Sequence, residues 1–594
     1  MPGRLRAAAA RTILAAVLVL ASCTGETPGT PTPTRTSTTP PVVTTPPVGP
    51  ITSSPIAPTT AAPIGPTAEP ADIQPTIPCS EDAATQLVGL SDDPDGRPGG
   101  VGGGEREGFD KGEPPRVPDD PDATVFEAPP LADPMTAGPG GVGPRIRPTA
   151  FLTSESTIVT NSTPPEPHVA MDGSNVLLTW NRHAAVSTDG GRTFFGMDPE
   201  TFVGTEEFCC DQLAHHIPGR NLWVWVMQTE SGHPPRPNHI RVAVTHGGRP
   251  FSSPVSYTYW EWSPQAGDFP AGTWLDRPKV GTTNDHLFLA VNAYLWISDE
   301  RLEAGGSNRP QGSLVIRMPL DELVAGDTLE STCFTTRYQA VPVTVAAGTM
   351  YIADHHQTSS LLLWRWPDVW PSPDYRLVTD VDEAGNTVDY INDGYSCRRN
   401  GIRATDWCAG KSDDRIQTGW VAGGRIGFAW NAAQHGTPDT PYPYVYSVFI
   451  DEGSLTVVDH WPLKVNAGAL QYPMFATNSR GDIGGVLMFG GGEGPIAGAP
   501  APEDRRGYPW CLGVIRDAAT GETSTMWAER VNQSSVDPRP RTDLGIDLPR
   551  IGDYVGAWAS PIDQTWGASC MSYTERGAQI HFYRFGKPED IPGT

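Results

Sequence analysis

The sequence predicts an all-β fold: a β-propeller of about seven four-stranded blades, with six or eight as neighbouring solutions. Three observations predict it. Gly (64), Pro (62) and Trp (18) are plentiful and helix formers sparse, which favours many short strands joined by turns. A hairpin unit recurs seven times, at intervals of roughly 45 to 80 residues. The stretch 149–160, just before the first unit, can pair with residues 579–585 at the far end and close a ring.

The elements follow in chain order. Arg4, Arg6 and Arg11 form a positive start, and residues 13–20 are a short apolar core. That core is too short to span a bilayer and has the form of a cleavable signal over residues 1–22. The run Leu20-Ala21-Ser22-Cys23 resembles the bacterial lipoprotein signal. The resemblance implies a diacylated Cys23, cleavage before it, and a membrane partner reached through that lipid at the extracytoplasmic cell surface. Residues 23–78 are dominated by Thr, Pro, Ser and Ala, a composition that cannot bury a core. At ~3.1 Å per residue in polyproline II such a linker reaches on the order of 150 Å. Residues 79–148 are rich in Gly, Pro and Asp and read as mostly irregular. Their acidic runs at 92–96 and 119–122 lack EF-hand spacing and read as a solvated linker.

The propeller spans residues 149–590. Each unit has a polar start, a short apolar strand, a turn, and a second strand rich in aromatics. The copies run over 166–180, 211–226, 276–291, 338–352, 414–430, 471–489 and 552–573. No single blade can bury both of its faces, so the units must stack.

Charge and cysteines narrow the class. A formal charge of −26 excludes a general nucleic-acid binder, which needs a basic surface. It keeps the chain soluble, and a monomer without cofactors is expected. Apart from Cys23, eight cysteines remain, an even set compatible with disulfides in an exported chain. Cys397 and Cys408 would close a short loop, and the adjacent Cys209 and Cys210 are expected to bond to different partners. No C-x-x-C spacing supports zinc.

Ser187-Thr188-Asp189-Gly190-Gly191-Arg192-Thr193-Phe194 fills every position of S-x-D-x-G-x-T-[WF]. In such a turn the Ser hydroxyl and Asp carboxylate satisfy turn amides, glycine permits positive φ, and the aromatic packs inward. A degenerate copy with His246 in the Asp place runs over 245–251. This pattern resembles the Asp-box of the sialidase-like (BNR repeat) propellers. Ser187, Asp189, Gly191 and Phe194 are its structural positions.

The resemblance predicts a fold and leaves the chemistry to the mouth of the central channel. The polar starts of the units become candidate channel residues: Glu166, His168, Asp211, Gln212, Asp276, Arg277, Gln339, Asp414, Arg415, Gln471, Asp553 and Tyr554, with Arg550 nearby. By analogy with sialidases, Arg277, Arg415 and Arg550 would clamp a carboxylate, Tyr554 would be the nucleophile, and Asp211 or Asp276 the acid/base. The F-R-I-P segment of that family is absent here. The same acids and arginines would also serve to tie neighbouring blades together, and the sequence leaves open structural pairing, binding of a glycan or surface protein, and exo-acting hydrolysis. His215-His216 and Asp354-His355-His356 suggest metal ligands, but strand alternation lets only one histidine of each pair reach a common site, so no metal is assigned. Tyr257, Tyr259, Trp260 and Trp262, placed in a loop, and Trp364, Trp366 and Trp370 would serve either sugar stacking or blade packing.

Overall fold

The computed structural model describes residues 77–79, 86–88 and, apart from a number of loops, residues 150–591. All of them belong to the compact unit Pro70–Thr594. The expected signal peptide, Cys23, most of the two N-terminal segments, Asp414 and Arg550 lie outside the described residues.

Seven antiparallel four-stranded sheets follow one another along the chain, at residues 168–197, 207–262, 273–336, 341–379, 416–460, 469–527 and 556–586. We call them blades I to VII. Their first strands, His168–Met171, Glu207–Ile217, Thr273–Thr282, Val341–Pro342, Ile416–Ala422, Ala469–Thr477 and Gly556–Ala559, touch in that order, and the seventh returns to the first. The ring of seven is therefore closed, and each repeated unit supplies the two inner strands of one blade.

Second strands such as Val176–Trp180 and Ile483–Gly490 are buried at every position. A strand sandwiched between two neighbouring blades has no solvent face, so it reads as a continuous apolar run. Outer strands lose that cover: Asp374–Thr379 is mostly exposed. Blade VII supplies only three strands of its own. Its fourth is Ala150–Thr160, which pairs from Ala150↔Gly586 to Thr160↔Ala578, as the sequence predicts.

Two short strands precede the ring. Ile77–Pro78 adds a fifth strand to blade III and Gln86–Val88 a fifth to blade II, inside segments expected to be linker and irregular chain. The disulfide Cys79–Cys333 pins the first of them. Cys397–Cys408 forms as expected, and Cys511–Cys570 joins blades VI and VII. Cys210 is also disulfide-bonded, whereas the side chain of Cys209 lies outside those described.

The Asp-box turn closes as its sequence demands. Asp189 accepts the amides of Arg192 and Thr193, each at 2.9 Å, and Ser187 Oγ accepts the amide of Gly191 at 2.8 Å. Gly191 sits at φ +89°, and a Cβ there would fall 1.9 Å from Phe582 of blade VII. Phe194 packs edge-on against the same ring. Two later turns use aspartate in the same manner without matching the pattern: Asp451 accepts the amide of Ser454, and Asp517 those of Ala519 and Thr520.

The aromatic expectation needs one correction. Tyr257–Trp262 is a strand of blade II, not a loop, and Trp260, Trp262, Trp364 and Trp366 are fully buried. Large flat side chains fill the wedge between blades because burial of their area outweighs exposure. Trp370 alone of the two clusters is exposed.

Candidate ligand-binding cup

The polar starts converge because every first strand begins at the same end of the ring. Four of these strands break register there, between Phe208 and Gln212, Asp276 and Lys279, Ile416 and Thr418, and Gln471 and Met474. A bulge re-aims the side chains of the extra residues. Glu166, Arg277 and Tyr472 stand at φ of 49°, 50° and 57°, beside Gly552 at 134°. Positive φ is costly for residues with a Cβ and clusters where function demands an orientation.

These bulges build a two-tiered cup. Asp276, Asp553, Arg415, Tyr294 and Gln339 are half-buried around the upper level. Arg415 donates to Tyr294 Oη at 3.1 Å, and Gln339 donates to the same oxygen at 2.9 Å. Below them Glu166, Asp211, Arg277, Lys279, Gln417 and Tyr554 are buried. Arg277 spans the channel, donating from Nη2 to Gln417 Oε1 at 2.8 Å and to the Asp553 carbonyl at 3.1 Å, while its amide donates to Asp211 at 3.2 Å. Glu166 accepts the Asp553 amide at 2.9 Å and Asn181 Nδ2 at 2.7 Å, so it ties blade I to blade VII. Gln228 bridges the floor, accepting the Asp211 amide and donating to Asp276 Oδ1, both at 3.1 Å.

Electrostatics follow from this crowding. Burial lifts Asp211 well above the ordinary aspartate value, and the nearby charges of Asp276, Glu166 and Asp553 lift it further, with Arg277 opposing. Burial, then Asp211, raises the Tyr554 hydroxyl well above its usual value. Lys279 falls to about 7 through burial and the neighbouring Arg277 charge, and its ammonium lies 5.2 Å from the centre of the Tyr554 ring. The floor therefore holds a carboxyl of raised pKa below half-buried acids and a guanidinium, a set that can donate to and accept from hydroxyl-rich ligands.

The structure thus brings Glu166, Asp211, Asp276, Arg277, Arg415, Asp553 and Tyr554 to one end of the channel. Gln212 is there too but spent on structure, donating to the carbonyls of Trp180 and His183 and accepting from Trp225. Gln471 is fully buried, and neither atom of its amide has a hydrogen-bond partner. The histidine pairs do not gather: His215 packs on Trp558, His216 on Trp223 and His355 on Trp430. Among the described residues only Cys397, Asp406 and Cys408 bring metal-binding atoms together, and both cysteines are in a disulfide. Sequence reasoning missed Lys279 and Gln417, each two positions after a named arginine. It also missed Tyr294, which comes from a second strand and carries no repeat signal.

No protein-family model and no curated protein sequence matches the chain. Solved structures similar to it include an α-L-arabinofuranosidase from Fusarium graminearum, at 8% identity over 73% of this chain and 95% of that one, with a TM-score of 0.33. A Trypanosoma rangeli sialidase with bound sialic acid is 8% identical over 73% of this chain and 59% of its own, with a TM-score of 0.32. A Dyadobacter fermentans protein of unknown function is 10% identical over 64% and 94% of the two chains, with a TM-score of 0.34. At these scores the likenesses carry no argument about chemistry, and the architecture stands on the chain's own seven blades.

Proposed function

We propose that the chain is a lipid-anchored cell-surface protein whose propeller binds a glycan-type ligand in the channel cup. The observation that carries this reading is the half-exposed set Asp276, Asp553 and Arg415 above the buried Arg277 and Asp211. Carboxylates and a guanidinium fixed at one place match pairs of sugar hydroxyls through charge-assisted hydrogen bonds. The anchor rests on the Leu20-Ala21-Ser22-Cys23 run, and Cys23→Ser would abolish incorporation of labelled palmitate in a bacterial host. Binding of the full chain to a glycan array tests the cup. Loss of signal in both Asp276→Ala and Arg415→Ala, with folding intact, supports it; unchanged binding in both removes the cup from recognition.

One observation favours a second reading, an exo-acting glycoside hydrolase of sialidase type. Burial and neighbouring acids raise Asp211 well above the ordinary aspartate value, and a carboxyl with a raised value is what acid-assisted glycoside cleavage requires. In that reading Tyr554 is the nucleophile and Arg277, Arg415 and Arg550 hold the substrate. Tyr554 is 3% exposed with its hydroxyl made less acidic, so ligand entry would have to free and acidify it. Release of 4-methylumbelliferone from its sialic acid conjugate, abolished by Asp211→Asn and by Tyr554→Phe, is the expected result. No turnover by the folded wild-type chain would remove this reading for sialic acid.

A further inference from the structure

Beneath the cup, on the channel axis, lies a cavity of about 30 Å³. That is room for one or two particles the size of water. Its polar lining is supplied by His168, His215, Lys279, Gln417, Thr344 and Thr418, and among the described residues none of its lining side chains is acidic. The donors are unevenly spent. Gln417 gives its Oε1 to Arg277, which leaves the amide NH2 as the group available to the cavity. Lys279 is 9% exposed and its ammonium meets the Tyr554 ring, not a carboxylate. His168 is 6% exposed and its ring is spent on the Ala214 backbone, so its unpartnered Nδ1 is no donor to the cavity. His215 makes one long contact, Nε2 to Thr282 Oγ1 at 3.4 Å.

A cavity that presents a lysine and an amide NH2 and no carboxylate suits a small anion and repels a cation. We propose that this cavity binds one monovalent anion of halide size, held by the Lys279 ammonium, the Gln417 amide and the imidazole N–H of His215. The anion would neutralise the buried lysine and fix the side chains on which the Arg277 bridge rests, since Gln417 contacts both the cavity and Arg277. Burial and the Arg277 charge lower Lys279 to about 7 although Asp211 and Asp553 oppose them, and an anion in the cavity would add to that opposition. The proposal does not depend on what the cup above it binds.

The test is thermal unfolding of the full chain in chloride against methanesulfonate at constant ionic strength. Methanesulfonate carries the same charge but is too bulky for the cavity. The expected result is a midpoint that rises by about 1–2 °C per tenfold increase in chloride above its dissociation constant. Bromide should act like chloride, and Lys279→Met should abolish the response while Gln417→Leu weakens it. Should Lys279→Met fail to fold, broadening of the chloride-35 resonance by the wild type and its reduction in Gln417→Leu decide the matter. Equal midpoints in the two salts, or a chloride response unchanged in Lys279→Met, would overturn the proposal.

Discussion

Asp211 and Asp189 are the same residue at opposite ends of the propeller. Blade I runs away from the cup along His168–Met171, returns along Val176–Trp180 and descends again along His183–Ser187, which puts the Asp189 turn at the far end. There the carboxylate meets amide and hydroxyl donors from Arg192 and Thr193, and these hold Asp189 below the ordinary aspartate value despite some burial. Asp517 is lowered at a corresponding turn of blade VI, with Lys587 and Thr520 as its donors. At the cup, Asp211 meets one backbone amide and three other acids, and its value rises. One end uses aspartate to satisfy the backbone and gains stability. The other end buries Asp211 among like charges, a condition that costs stability and suits a binding site.

Three measurements would break or sharpen that contrast. The largest effect is expected at the clasp between blades VI and VII. Cys511 and Cys570 are 59 residues apart, and replacing both by Ser should cost about 4 kcal/mol in urea unfolding by the loop-entropy relation. Replacing Cys397 and Cys408, 11 residues apart, should cost about 3 kcal/mol on the same relation. An equal or reversed order would mean that strain in the folded ring, not loop length, governs these links.

Next comes Asp189→Ala. Loss of its hydrogen bonds should destabilise the chain by about 1–2 kcal/mol at neutral pH. Because the folded value is depressed, that contribution is present above the unfolded pKa and disappears as pH falls through the folded one. The wild-type and variant unfolding midpoints should therefore converge in acid. A gap that persists there would assign the effect to turn geometry instead of charge.

The smallest effect carries the opposite sign. Asp211 has a raised folded value, so its contribution is full below the unfolded pKa and is lost as pH rises through the folded one. Asp211→Asn should compare best with the wild type as pH rises past the folded value and become the more stable chain at alkaline pH, by on the order of 1 kcal/mol, with the advantage shrinking as pH falls toward the unfolded pKa. A variant less stable at every pH would show that the carboxylate is matched after all and that the two ends do not differ in kind.

Much of the ring was legible in the sequence, and the reason is local. Middle strands such as Val176–Trp180 are apolar throughout because blades cover both faces, and the Asp189 turn encodes its own hydrogen bonds within seven residues. Even the closing partnership of Ala150–Thr160 with Gly577–Gly586 could be anticipated, since a ring with one incomplete blade needs it. The loop assigned to Tyr257, Tyr259, Trp260 and Trp262 failed for the converse reason. Aromatic residues next to prolines and glycines resemble a loop until a neighbouring blade is there to bury them.

The sequence by itself determined the repeated hairpins and the end of the ring at which polar side chains gather, because these depend on period and turn chemistry within each unit, and it brought the number of blades to about seven. Only the tertiary structure decided which of those side chains meet. Arg277 reaches Gln417 and Asp553, 140 and 276 positions away, and Asp211 owes its altered acidity to groups from blades I, III and VII. Distances of that kind are set by closing the ring and by the bulges that turn each strand's first residues inward. The physical reason is that charge interactions depend on separation in space and on burial, and neither quantity exists until seven blades have packed.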